Sequence, residues 1–293
     1  KLADKDICAA LHRVISDLDF LYQVLKLCLD RSEKIEHPFE RTLAFKGQLE
    51  RVFDTAQTGY SYWYETTRRY LTVNITPLNV SAKFAQMMKD TGAGFVFTSA
   101  TLSVDNDLGH FNASLGLKPA QSMIVESPFD YEQQALLCLP RYLPESHANN
   151  MPHAIIKLTL ELIKSAKGRC FVLFTSYRMM HLVAEGLTTQ LDYPVYMQGQ
   201  MSKRIILEKF TRHGNAVLLG TASFWEGVDV RGSTLSCVII DKLPFAAPDD
   251  PLLQARMQDC QLQGKDPFAH IQLPQAVIAL KQGVGRLIRD NKD

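Results

Sequence analysis

An excess of charge of either sign is nearly absent: 32 Lys and Arg stand against 31 Asp and Glu, a formal net charge of +1 over 293 residues. No global basic field announces a nucleic-acid partner, although charge gathered in one groove would not register in the total. The six cysteines, Cys8, Cys28, Cys138, Cys170, Cys237 and Cys260, form no Cys-x-x-Cys pair, and no metal site is expected in this chain. Several sit inside apolar runs and read as buried thiols, so a reducing compartment without a disulfide framework is expected. No uninterrupted apolar run could span a bilayer and no charged-then-apolar leader opens at Lys1, so a cytoplasmic protein without membrane contact is expected. A phosphate-binding Gly-x-x-x-x-Gly-Lys-Ser/Thr loop is missing, and Gly264-Lys265-Asp266 is not one. There is no Asp-Glu-x-His box, no His-Glu-x-x-His and no Gly-x-Ser-x-Gly elbow, which leaves a metabolic α/β enzyme without a catalytic constellation.

What is present is 46% hydrophobic residues, enough for a sizeable core and two units. Residues 1–57 carry apolar positions at helical spacing, from Leu11, Val14 and Ile15 to Leu25, and predict a helical pair broken near His37-Pro38. Gly59 to Tyr64 and Tyr70 to Ile75 read as strands, and Phe95-Val96-Phe97 as a buried strand. After residue 131, apolar runs alternate with helical segments. Strands are predicted at 170–174, 195–197, 217–219 and 235–240, and helices at 179–191, 202–213, 251–263 and 273–289, with Ser202 as an N-cap. Such alternation predicts an α/β fold, a parallel sheet with helices on both faces and ligands at the C-terminal strand ends.

The C-terminal stretch Gln282-Gly283-Val284-Gly285-Arg286-Leu287-Ile288-Arg289 puts an amide and two permanent cations at i, i+4 and i+7 of an expected helix. Each interior glycine costs a helix roughly 1 kcal/mol relative to alanine, so two of them suggest that another object approaches the backbone. Forked, always-charged guanidinium groups suit a polyphosphate. Solvated arginines on an amphipathic helix are the plainer alternative. Phe174-Thr175-Ser176-Tyr177 and Gly220-Thr221-Ala222-Ser223-Phe224-Trp225-Glu226-Gly227-Val228-Asp229 each follow a predicted strand and bring hydroxyls to one sheet edge. Those groups suit the phosphates of a nucleic-acid strand, or else merely cap the following helices.

In this order, Thr98-Ser99-Ala100-Thr101, Phe174 to Tyr177, Gly220 to Asp229 and Gln282 to Arg289 resemble motifs III, IV, V and VI of superfamily 2 helicases. Trp225 to Gly232 and Val238-Ile239-Ile240-Asp241-Lys242-Leu243-Pro244-Phe245 are similar to the XPD/DinG branch, whose members carry a 4Fe-4S cluster. The resemblance spans nearly the whole chain and is weakest before residue 57. It implies a RecA-like, P-loop-NTPase-type fold and an ATP-dependent helicase that moves 5′ to 3′ on single-stranded or forked DNA in repair or replication. Residues 1–57 would end an arch insertion, 58–130 close the first motor domain and 131–293 form the second.

The same resemblance implies that Arg286, Arg289 and Gln282 face the ATP γ-phosphate beside Gly285. Glu226, Gly227 and Asp229 would couple the cleft to DNA, and Thr98, Ser99 and Thr101 would link hydrolysis to domain movement. Thr175, Ser176, Tyr177, Thr221 and Ser223 would hold the single strand, with Trp225 stacked on a base or buried as core. Without motifs I and II the chain reads as a fragment, inactive alone as an ATPase. ATP and Mg2+ would then be bound mainly by a first motor domain elsewhere in the parent, which would also carry the 4Fe-4S cluster. An interaction module is the other reading, because relatives of this kind associate with the chi subunit of the replicative clamp loader.

Overall fold

Two short runs without a charged residue, Cys170–Leu173 and Val217–Gly220, lie at the centre of a four-stranded parallel sheet, as runs buried on both faces should. The structure, a computed structural model, describes residues 5–53, 58–117, 120–145, 148–225 and 234–288. In chain order the elements begin α1 (Lys5–Leu27), α2 (Glu36–Phe53), β1 (Tyr60–Thr66), β2 (Leu71–Pro77), α3 (Ser81–Thr91), α4 (Gly109–Leu115), α5 (Tyr131–Gln134) and α6 (Met151–Ser165). They continue β3 (Cys170–Leu173), α7 (Tyr177–Thr188), β4 (Val195–Met197), α8 (Lys203–His213), β5 (Val217–Gly220), α9 (Ala222–Trp225), β6 (Cys237–Ile240), α10 (Pro251–Leu262) and α11 (Leu273–Val284).

The elements fall into two units, residues 1–80 with 248–263, and residues 81–247 with 264–293. In the second, the sheet order is β4-β5-β3-β6, every pair parallel. Successive side chains of β3 go to opposite faces. Cys170, Val172 and Phe174 join Ile155 and Ile163 of α6 and Met180, Val183 and Leu187 of α7. Phe171 and Leu173 join Ile206 and Phe210 of α8 and Phe224 and Trp225 of α9. The expected doubly covered α/β sheet is what forms. Each fully buried Phe or Leu contributes about 1.5–3 kcal/mol of transfer free energy to it.

In the first unit, α1 and α2 form an antiparallel pair. His12 stacks on Phe53 and Tyr22 on Phe39, with ring centroids 4.4 and 5.0 Å apart, and Lys46 bridges to Asp19. The helical break lies at 3-10 turns over 29–35 rather than at Pro38. Pro38 sits in the first turn of α2, where a missing N–H costs nothing. Strands β1 and β2 form where strands were expected and pair as an antiparallel hairpin, Tyr60 opposite Pro77 and Thr66 opposite Leu71. Helix α10 packs on β1, and its Arg256 Nε donates to the Leu78 carbonyl at 3.1 Å.

Two further expectations need correction. Phe95-Val96-Phe97 lies outside any strand, with Val96 88% exposed. An apolar run becomes a strand only beside a strand that pairs with it, and none of the described residues does so. Helix α11 stops at Val284 rather than running to Arg289. Gly285 caps it, its N–H donating to the Lys281 carbonyl at 2.9 Å, and a turn follows through Arg286 and Leu287. A π-helical turn, Phe268–Gln272, leads into α11, where Pro274 has no N–H to close an α-turn. Ser202 occupies the N-cap position of α8, but its side chain makes no capping bond.

Candidate functional site

Each strand of the parallel sheet is followed within two residues by a polar residue, and these meet at the C-terminal edge. After β3, the Thr175 N–H donates to Asp241 Oδ1, 2.9 Å away at the end of β6. Ser176 is the N-cap of α7, its oxygen accepting from the Met179 N–H at 3.3 Å, so the plainer capping reading applies to that oxygen. After β4, Gln198 accepts at Oε1 from the Thr221 N–H (2.7 Å) and hydroxyl (3.0 Å), and donates from Nε2 to the Tyr177 hydroxyl at 2.7 Å. Thr221 is only 4% exposed. Thr175, Ser176, Tyr177 and Ser223 are exposed. The Ser223 carbonyl accepts from Lys203 Nζ at 2.5 Å.

A second cluster joins α11 to the loop at 98–103. Lys281 Nζ donates to the Ser103 carbonyl at 3.0 Å, and Gln282 Nε2 reaches Thr101 Oγ1 in a long contact of 3.5 Å. Ser99 turns back on the same loop, its Oγ accepting from the Thr101 N–H at 3.2 Å, while Thr98 is exposed. Arg286 Nε and Nη2 both donate to the Trp225 carbonyl, at 3.2 and 2.7 Å.

The object that approaches the backbone of α11 is Trp225. A Cβ placed on Gly283 would lie 2.8 Å from its ring. Trp225 is 3% exposed and its Nε1–H points at the Phe174 carbonyl at 3.4 Å, so the indole is core and has no free face for a base. Gly285 is exposed, its backbone in ordinary conformation. Glu226, Gly227, Asp229 and Arg289 lie outside the described residues.

Comparisons with known proteins decide what this geometry belongs to. A family model described as a helicase C-terminal domain matches residues 159–293. The chain is 49% identical over 292 residues to a protein of Escherichia coli (strain K12) named ATP-dependent DNA helicase YoaA, covering 100% of this chain and 46% of that one. It is 50% identical over 276 residues to the protein of the same name from Haemophilus influenzae, covering 94% and 43%. A Mycobacterium tuberculosis protein named ATP-dependent helicase DinG is 36% identical over 231 residues, 77% of this chain and 34% of that one. The chain is related to part of the XPD/DinG-type helicases. It spans about half the length of the two YoaA relatives. Two solved XPD structures share its fold, with TM-scores of 0.56 and 0.59 at 22% and 21% identity. They cover 92% and 90% of this chain, and 50% and 53% of their own chains are covered in turn.

Residues 98–101, 174–177, 220–225 and 282–288 all lie in one unit. Among the described residues, the buried Asp241 Oδ2 and Gln282 Oε1 have no hydrogen-bond partner. Burial pushes the Asp241 carboxyl above its usual range, against the Thr175 N–H and Lys242, which favour the charged form. Among the described residues, no group of three or more His, Cys, Asp or Glu is placed to hold a metal ion. Cys170 and Cys260 are buried, Cys138 is exposed and the others are half-buried. The sequence reading missed Gln198 altogether. Asp241 entered it only as part of a family pattern.

Proposed function

We propose that this chain is the second motor domain, with the closing part of the first, of an ATP-dependent DNA helicase. The parent would move 5′ to 3′ on single-stranded or forked DNA in repair or replication. The observation that carries the reading is Arg286, whose guanidinium rests on the Trp225 carbonyl one residue before the motif V glutamate, with Gln282 a turn away on α11. A neutral carbonyl is a weaker partner for guanidinium than a phosphate oxygen. In this reading Arg286 would exchange that carbonyl for a γ-phosphate oxygen as charge develops in transfer.

In this reading Gln282 and Arg289 complete the set beside Gly285, and Glu226, Gly227 and Asp229 couple it to DNA. Thr98, Ser99 and Thr101 relay closure, which the contact of Gln282 with Thr101 supports. Thr175, Ser176, Tyr177 and Ser223 border the strand, with Thr221 behind them. ATP, Mg2+ and the 4Fe-4S cluster would be held by the remainder of the parent, with residues 1–57 ending its arch, 58–130 its first motor domain and 131–293 forming the second. Substituting Arg286→Ala or Arg289→Ala in the full-length protein should lower DNA-stimulated ATP turnover by about 10³-fold or more while ATP binding persists. This chain alone should hydrolyse no more ATP than its own doubly substituted control. Robust turnover by the isolated chain would sink the assignment of the missing catalytic half.

A second reading, docking of the clamp-loader chi subunit, is favoured by the apolar surface of α1, where Phe20 and Leu27 are 72% and 82% exposed. Titrating purified chi against the full-length protein and a Phe20→Asp, Leu27→Asp variant tests it. Equal binding by both places chi elsewhere.

A further inference from the structure

We propose that Gln198 is a positioning residue for the DNA track: it aims the Tyr177 hydroxyl proton outward at a phosphate and makes Thr221 a support rather than a contact. This rests on the single-strand reading above. The inference follows from which atoms can donate. The Thr221 backbone N–H is an obligate donor, so the Gln198 atom 2.7 Å from it must be the amide oxygen. The Thr221 hydroxyl, 3.0 Å from the same oxygen, donates to it as well. Both Thr221 donors are consumed, and the residue is buried.

The other end of the amide is then the NH2 group, 2.7 Å from the Tyr177 oxygen. An amide NH2 cannot accept, so Tyr177 accepts from it and must send its own O–H elsewhere. Tyr177 is 57% exposed at the first turn of α7, beside the Ser176 cap, so that proton faces solvent at the positive end of a helix. An outward phenolic O–H and the helix N-terminus together suit a phosphate oxygen. Gln198 itself is fixed by its backbone N–H, which extends the sheet by donating to the Leu219 carbonyl at 2.9 Å. One amide therefore ties the loops after β3, β4 and β5 into a single surface.

The test uses the full-length protein and a labelled oligo(dT), with Kd, the KM for DNA, the KM for ATP and Tm read in parallel. Gln198→Glu keeps an acceptor for both Thr221 donors but turns the Tyr177 proton inward onto the carboxylate. It should keep the wild-type Tm and KM for ATP while Kd and KM for DNA rise about tenfold, the size of one charge-assisted hydrogen bond. Tyr177→Phe should raise Kd by a similar factor, and the double variant should bind better than the product of the two effects predicts. Gln198→Ala, which also orphans Thr221, should lower Tm in addition. If Gln198→Glu binds DNA within twofold of wild type, or if the two effects multiply, the positioning role is overturned. Wild-type protein that binds no oligo(dT) would overturn the single-strand reading and this inference with it.

Discussion

A half-buried carboxylate at the edge of the sheet makes stability depend on pH in an unusual direction. Asp241 supports the Thr175 loop through Oδ1 while burial holds its proton on more tightly than in the unfolded chain. Between its ordinary value of 3.8 and the raised native value, the native state keeps a proton that the unfolded state has lost. Stability from this group is therefore complete below 3.8 and declines as pH rises through that window. Asp241→Asn keeps an acceptor for Thr175 and does not titrate. Its urea midpoint relative to wild type should climb as pH rises from 3.8 and level off above the native value. A constant difference between the two midpoints across that range would refute the assignment. Residues of this kind were the least legible in the sequence. Arg286 and Gln282 stand in a motif a few residues long. Gln198 acts on partners 21 and 23 residues away and Asp241 on one 66 away, and no local pattern encodes such pairings.

At the scale of elements, the same limit explains what was misread. The strands of the central sheet were legible because β3 and β5 are apolar on both faces and lie beside each other. Phe95 to Phe97 carries the same apolar signal, yet the signal says only that the segment would be stable against another strand. Met123 to Val125 and Leu136 to Leu139 share that condition: Met123, Val125, Leu136, Leu137 and Leu139 are all strongly exposed and outside any strand. The helix at 273–289 was overextended for a different reason. Gly283 is in α11 because Trp225 packs on it, while Gly285 ends the helix, and sequence alone does not distinguish the two uses. Exposed, unpaired apolar segments should bind a hydrophobic dye and recruit foreign strands. The isolated chain is expected to enhance ANS fluorescence, and Val96→Asp with Leu137→Asp to reduce it and raise the soluble fraction. Unchanged dye binding in that variant would show that these segments are covered in solution.

The molecule as a whole divides its core very unevenly, and that sets how it should open. Nearly all the fully buried apolar side chains surround the parallel sheet in the unit of residues 81–247 and 264–293. Among the described residues of the other unit, the apolar side chains counted as core are Leu253 and Cys260 of α10, with none on α1 or α2. The helical pair is held instead by ring stacking, the Lys46–Asp19 bridge and half-buried contacts. Contacts of that kind leave little free energy to resist local opening. Amides of β3 and β5 should therefore exchange with deuterium only through unfolding of the whole sheet unit. Those of α1 and α2 should exchange through a separate opening of lower free energy and be the first sites of protease nicking. Urea should correspondingly produce two transitions, the earlier one losing helix without loss of the sheet signal. Equal protection in α1 and β3, with a single transition seen by every probe, would mean that α1 and α2 gain their stability from contacts beyond those within their own unit.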